Sequence, residues 1–211
     1  MITTNQPSSE YGKALLDPMP GQGHLSDEDY LRLTDSTSRL MEFTDGKLEP
    51  LPMPTDLHQT ILEFLFTLFN AYISPLGGKA LFAALRMRIR AGKFREPDII
   101  LVKDAKDRRR RNRFWTGADL TLEVVSIDNP RRDIIEKRVD YAEAKIPEYW
   151  IVDPQTETIT VLRLEGSDYV EHGIFVRGQQ ATSVILAGFS VDVNAVFDVD
   201  CPPDDPVDEE E

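Results

Sequence analysis

Cysteine is nearly absent. Cys201 alone among 211 residues excludes an intramolecular disulfide framework and any zinc site built on several thiolates. Histidine is scarce as well: His24, His58 and His172 form no His-x-x-x-His pair and no cluster with cysteine, so a histidine-ligated zinc is not expected. No run of 18 apolar residues occurs. The greasiest stretch, Ile61 to Ile73, is interrupted by Glu63, Thr67 and Asn70, and no membrane partner is expected. Asn5, Gln6, Pro7, Ser8 and Ser9 replace the apolar segment of a secretory leader, so the expected location is cytoplasmic. Also missing are a Gly-x-x-x-x-Gly-Lys-Ser/Thr loop, a Gly-x-Gly-x-x-Gly turn and a Gly-x-Ser-x-Gly elbow, the marks of nucleotide binding and of α/β-hydrolase chemistry.

Positive charge is in short supply overall, with 24 basic against 37 acidic residues and a net charge of −13. Eight of those acids fall between Asp198 and Glu211, where no base occurs; without them the balance is 29 to 24. One stretch reverses the sign. Lys103 to Arg113 holds seven bases against Asp104 and Asp107, and Arg108, Arg109, Arg110 and Arg111 are candidates for phosphate contact or for a plain solvated loop. The acidity therefore neither excludes nor supports a nucleic-acid partner.

A length of 211 residues suits one domain with appendages. Residues 1–25 are proline- and glycine-rich without periodicity and read as a flexible arm, residues 26–197 as the domain, and residues 198–211 as an acidic disordered tail. Within the domain, Ser26-Asp-Glu-Asp29 is a capping box opening a helix to about Thr34. Asp45-Gly46 between Leu40–Thr44 and Lys47–Leu51 signals a hairpin. Apolar residues at helical spacing predict a helix over 55–74, capped by Thr55 or Asp56 and ended by Pro75. Alternation predicts a strand from Leu81 to Ile89, then strands at 96–102 and 119–126. A helix over 131–144 follows, with Ile134, Ile135 and Val139 expected to pack on the sheet. Strands are expected at 148–153, 158–164, 169–175 and 183–186. Helix, three strands, helix, strand implies an α/β fold with a mixed central sheet.

Asp98 at the head of one apolar strand and Glu123 inside another are costly placements unless compensated. A divalent cation is one compensation: on neighbouring strands the two would form an oxygen-lined site suited to Mg2+ or Mn2+. Two solvent-facing acids are the plainer alternative. Asp133, Lys137 and Tyr141 share one stripe of the following helix, either as an ion pair on a solvated face or as a flank of the Glu123 site. Trp150 and Tyr149 read as core.

Taken together, Met41-Glu-Phe-Thr-Asp-Gly46, His58-Gln59, Pro97-Asp98, Leu122-Glu-Val-Val-Ser126, Asp133 with Lys137 and Tyr141, and Pro147-Glu-Tyr-Trp-Ile-Val-Asp-Pro154 resemble the Uma family of putative restriction endonucleases. That family belongs to the PD-(D/E)XK nuclease superfamily. The resemblance spans about Ser26 to Phe197 and implies a restriction-endonuclease-like core that hydrolyses DNA phosphodiester bonds with Mg2+ (or Mn2+). Asp98 and Glu123 match the metal-binding acids. Where the superfamily places a lysine two residues after the second acid, this chain has Val125, and Lys137 is the expected substitute. Lys137→Ala is then expected to abolish cleavage while leaving folding nearly intact. Glu42 and His58 match family positions as accessory residues, and Glu63 is a weaker candidate acid. Two cuts on antiparallel strands suggest a homodimer. The rival expectation is an idle nuclease fold serving binding or assembly.

Overall fold

The computed structural model describes residues 21–202. The capping box forms as expected. The Ser26 side chain accepts from the Asp29 amide, the Asp29 carboxylate accepts from the Ser26 amide, and α1 runs Asp27–Asp35. β1 (Met41–Thr44) and β2 (Lys47–Pro50) are joined by Asp45 and Gly46, both with positive φ (47° and 84°), as a two-residue hairpin loop demands. Gln22 and Gly23 bind the backbone of this hairpin at Leu48 and Gly46. Residues 1–20 of the expected arm and residues 203–211 of the expected tail lie outside the described residues.

Thr55 caps α2 (Asp56–Ile73), whose buried stripe of Ile61, Leu65, Phe69 and Ile73 repeats at helical spacing. Next come β3 (Lys79–Phe82), β4 (Met87–Arg90), β5 (Lys93–Arg95), β6 (Ile99–Val102) and β7 (Leu120–Val124). The single strand expected from Leu81 to Ile89 is two strands in two sheets. β3 ends opposite Ile99, the first residue of β6. Pro97 lacks the N–H that a longer ladder would need, so the chain leaves the sheet there. β4 instead pairs with β5, which pairs with β1, giving a small sheet in the order β2-β1-β5-β4 beneath α1.

The main sheet has the order β10-β9-β8-β7-β6-β3, with β8 (Glu148–Asp153), β9 (Thr158–Glu165) and β10 (Asp168–Phe175). Only β7 and β8 are parallel, the pair that a helical crossover must join. On one face Leu120, Leu122, Trp150 and Val152 pack against α2 and against the C-terminal elements β11 (Gln180–Thr182), β12 (Ser190–Asp192) and α4 (Val193–Phe197). The strand expected at 183–186 is thus the turn between β11 and β12. Phe69 meets Trp150 edge to face at 5.3 Å. On the other face Val125, Tyr149, Ile151 and Leu162 pack beneath the crossover helix.

That crossover departs from expectation twice. It opens as a π-helical turn, Arg132–Glu136, before α3 (Lys137–Glu143). A π turn advances by less angle per residue than an α turn, which keeps Asp133, Lys137 and Tyr141 on one stripe over eight residues. The helix also presents the opposite side to the sheet. Ile134, Ile135 and Val139 are 40%, 50% and 63% exposed, whereas Asp133, Lys137, Asp140 and Tyr141 are buried. Polar groups sit inside because each finds an opposite charge or a hydrogen bond there.

Candidate active site

Alternation along β7 sends Leu122 and Val124 toward α2 and Glu123 and Val125 toward α3. Ile99 pairs with Leu122, so Asp98 stands one step beyond the ladder, opposite Glu123. The Asp98 carboxylate accepts from the Val124 amide at 2.8 Å and faces His58 Nε2 at 3.3 Å. His58 comes from the first turn of α2, so one acid is held by both neighbouring elements. Burial opposes a charged His58, but its hydrogen bond and attraction to Asp98 prevail and raise its pKa above 6.5.

Glu123 is 1% exposed. Lys137 Nζ donates to Glu123 Oε2 at 2.7 Å, and the Tyr141 hydroxyl donates to Oε1. The ammonium also meets Asp133 Oδ1 at 3.0 Å and Glu42 Oε1 at 3.7 Å. Burial drives the Glu123 carboxyl well above the ordinary carboxylate range; Lys137 pulls it back and Asp98 adds to the rise. Burial favours a neutral Lys137, but Asp133, Glu123 and Glu42 outweigh it and hold the ammonium charged. Three carboxylates share this ammonium, and one of them, Glu42, also faces Arg95. Asp133 is itself anchored, accepting from the Ser126 amide at 3.3 Å, while its carbonyl accepts from the Tyr149 hydroxyl at 2.8 Å.

Of the residues singled out in the sequence, the structure brings together Glu42, Glu123, Asp133, Lys137 and Tyr141, with His58 on Asp98 beside them. Glu63 is exposed on α2 and does not join them. The arginine run divides. Arg109 is bound to Asp107, Asp119 and the Ala118 carbonyl, and Arg110 donates to the Ala105 carbonyl and lies over the Trp115 ring at 5.3 Å. Neither is free to seek phosphate. Arg108 and Arg111 make no ion pair among the described residues.

Sequence reading missed the support beneath the site. Arg95 Nε binds Asp140 at 2.7 Å and lies 3.5 Å from Glu42, and Lys93 also binds Asp140 at 2.7 Å, tying β5 to α3. Glu96 is buried, with burial and the charge of Glu42 pushing its carboxyl to about 7. Glu148, in the most recognisable sequence block, accepts from Trp150 Nε1, Ser183 Oγ and the amides of Val184 and Ile185. It fastens the β11–β12 turn to the sheet and lies outside the acid cluster. A carboxylate two residues before a tryptophan, at the head of an apolar run, was the available signal.

A cleft of about 350 Å³ opens beside His58, lined by Met53, Leu57, Val125, Ile127, Pro154 and Pro202 among others. Among the described residues no group of three His, Cys, Asp or Glu side chains is arranged to hold a metal ion. Nor, among the described residues, is any helix long and apolar enough to cross a membrane.

No curated protein matches the chain. Among solved structures it is similar to a putative nuclease belonging to DUF820 from Anabaena variabilis, at 19% identity and a TM-score of 0.67. The match covers 82% of this chain and 97% of that one, and shows a shared fold. A family model described as Uma2, putative restriction endonuclease, matches residues 27–194. With that family's extent covering nearly the whole described fold, the chain belongs to the Uma2 family, and its core is restriction-endonuclease-like.

Proposed function

We propose that the protein is a divalent-metal-dependent endonuclease that hydrolyses DNA phosphodiester bonds, with Asp98 and Glu123 holding the cation, Mg2+ or Mn2+, and Lys137 beside it. The observation that supports this best is the placement of Asp98 opposite Glu123 across β6 and β7, with the Lys137 ammonium 2.7 Å from Glu123. The donor chemistry fits a hard cation. Both groups are carboxylates, their like charges oppose each other, and each Glu123 oxygen that accepts from Lys137 or Tyr141 keeps a further lone pair. Such a cation, when bound, lowers the pKa of a water and offsets charge on the phosphate. The protein's own contribution is orientation and charge. The Val124 amide and His58 fix Asp98. Asp133 steadies the Lys137 stem, so its ammonium can position the attacking water. The cleft is lined by His58, which pairs with Asp98, and by Val125, two residues beyond Glu123, so a substrate seated there would lie next to the two acids. A duplex needs two cuts, so we include a homodimer in the proposal, with the edge strand β10 available for pairing; sedimentation at micromolar concentration tests it.

A second reading has an observation behind it. Glu123 is buried with both oxygens already engaged, and no three-donor cluster surrounds it. An idle nuclease fold acting in binding or assembly would look like this. Incubating the protein with single- and double-stranded DNA and Mg2+ or Mn2+, beside Asp98→Ala purified identically, separates the readings. Metal-dependent cleavage lost in Asp98→Ala supports the nuclease. Absence of turnover with every metal, or equal cleavage by the variant, overturns it.

A further inference from the structure

Glu42 is 1% exposed, yet its Oε1 has no hydrogen-bond partner. Its other oxygen is anchored, 3.5 Å from Arg95 Nε. Buried carboxylate oxygens are rarely left idle, because the desolvation cost is not recovered. The idle oxygen lies 3.7 Å from Lys137 Nζ, inside ion-pair range but beyond hydrogen-bond length. The same ammonium donates to Glu123 at 2.7 Å and forms an ion pair with Asp133 at 3.0 Å. So Lys137 has two carboxylates in close contact and a third, buried and without a hydrogen bond on this oxygen, about one ångström farther off.

We propose that Glu42 is a positioning residue for Lys137: a reserve acceptor that takes the ammonium when a divalent cation occupies Glu123. This rests on the metal site proposed above. With a cation on Glu123, like charge drives the ammonium from that carboxylate. A buried ammonium then needs another acceptor of opposite charge. Asp133, one helical turn away, holds the stem throughout, and Glu42 Oε1 completes the set. Arg95, held in turn by Asp140, keeps Glu42 from following the lysine. The arrangement lets one lysine serve as counter-charge to Glu123 in the empty site and as neighbour to the cation in the filled one, with no unpaired buried charge in either state.

The test uses the full chain and Mg2+ itself. The side-chain 15N and proton resonances of the Lys137 ammonium are followed during Mg2+ titration, and Mg2+ affinity is measured by calorimetry for the wild type, Glu42→Gln, Lys137→Met and the double variant. Loss of a supporting partner of this kind weakens metal binding by roughly 10-fold or more. Glu42→Gln should therefore bind Mg2+ about 10-fold more weakly, since the ammonium has nowhere to retreat. Glu42→Gln should cost no affinity in the Lys137→Met background, where no ammonium competes. A merely structural Glu42 would weaken both backgrounds alike, and that result overturns the proposal. Should Glu42→Gln not fold, Glu42→Asp takes its place in the same cycle, and in either case a wild-type Lys137 resonance unmoved at saturating Mg2+ overturns the proposal. A wild type that binds no Mg2+ overturns the metal reading, and this inference with it. Mg2+ binding unaffected by Glu42→Gln removes the inference alone.

Discussion

Replacing Lys137 by methionine keeps the side chain's bulk and deletes its charge, and the structure sets the size of the effect. The side chain is 5% exposed, and its ammonium is the shared counter-charge of Glu123, Asp133 and Glu42 at 2.7, 3.0 and 3.7 Å. Breaking a buried pair by removing one partner costs about 3–5 kcal/mol, against at most about 1 kcal/mol for an exposed pair. At about 2–4 °C per kcal/mol for a domain this size, Tm should fall by roughly 10 °C. The deficit should depend on pH. Without the ammonium, Glu123 loses the charge that pulls its carboxyl down, and burial holds it further above 4.5. The native variant then binds a proton that the unfolded chain has released, so its stability falls as pH rises above the ordinary carboxylate range. Urea unfolding of metal-free wild type and variant at pH 5 and pH 8 measures both effects. The difference should be largest at pH 8. A loss below about 1 kcal/mol, equal at both pH values, would refute the burial argument. This outcome runs against the sequence-based expectation that removing Lys137 spares the fold, because a buried ammonium among carboxylates is part of the fold's charge balance; the unfolding measurement decides between the two.

Glu96, with a carboxyl pushed to about 7 by burial and by Glu42, should make the wild type lose roughly 3 kcal/mol as pH rises from about 4.5 to 7, because the native state alone holds that proton across the window; Glu96→Gln should flatten the profile, and parallel profiles would disprove it. Arg108→Ala with Arg111→Ala should lower the salt slope of DNA binding by up to about 2, while Arg109→Ala should lower Tm and leave that slope unchanged, since its guanidinium is bound to Asp107 and Asp119. Glu148→Ala leaves four donors without an acceptor and should destabilise by about 3 kcal/mol or more in urea unfolding, with metal affinity unchanged if the protein is assayed below its transition.

Features fixed by neighbouring residues were legible in the sequence. The Ser26–Asp29 box, the Asp45-Gly46 turn, the Thr55 cap and the alternation through β7 and β8 each depend on contacts a few residues apart. What was hidden depended on partners far along the chain. Arg95 and Asp140 are 45 residues apart, and nothing local marks them as a pair. The orientation of α3 was misjudged for the same reason. Aliphatic periodicity points inward only when no stronger partner lies inside, and here Glu123, Arg95 and Lys93 draw the polar stripe to the sheet. The arginine run looked available because the acids that neutralise it, Asp119 and the Glu28 and Asp35 of α1 bound to Arg113, come from other elements. Asp98 and Glu123 were visible as carboxylates in apolar surroundings, and the approach of Lys137 to Glu123 was expected from the shared helix stripe and the family resemblance, whereas the Tyr141 hydroxyl on the other Glu123 oxygen was not.

The central claim is that Asp98 and Glu123 jointly hold a divalent cation. Anomalous diffraction from crystals of the full chain soaked in Mn2+ tests it most directly. One strong manganese peak is expected within about 2.0–2.6 Å of an oxygen of each carboxylate, absent from Asp98→Asn crystals of the same form. A fully soaked crystal with no peak between the two acids, or with its peak on other residues, would contradict it.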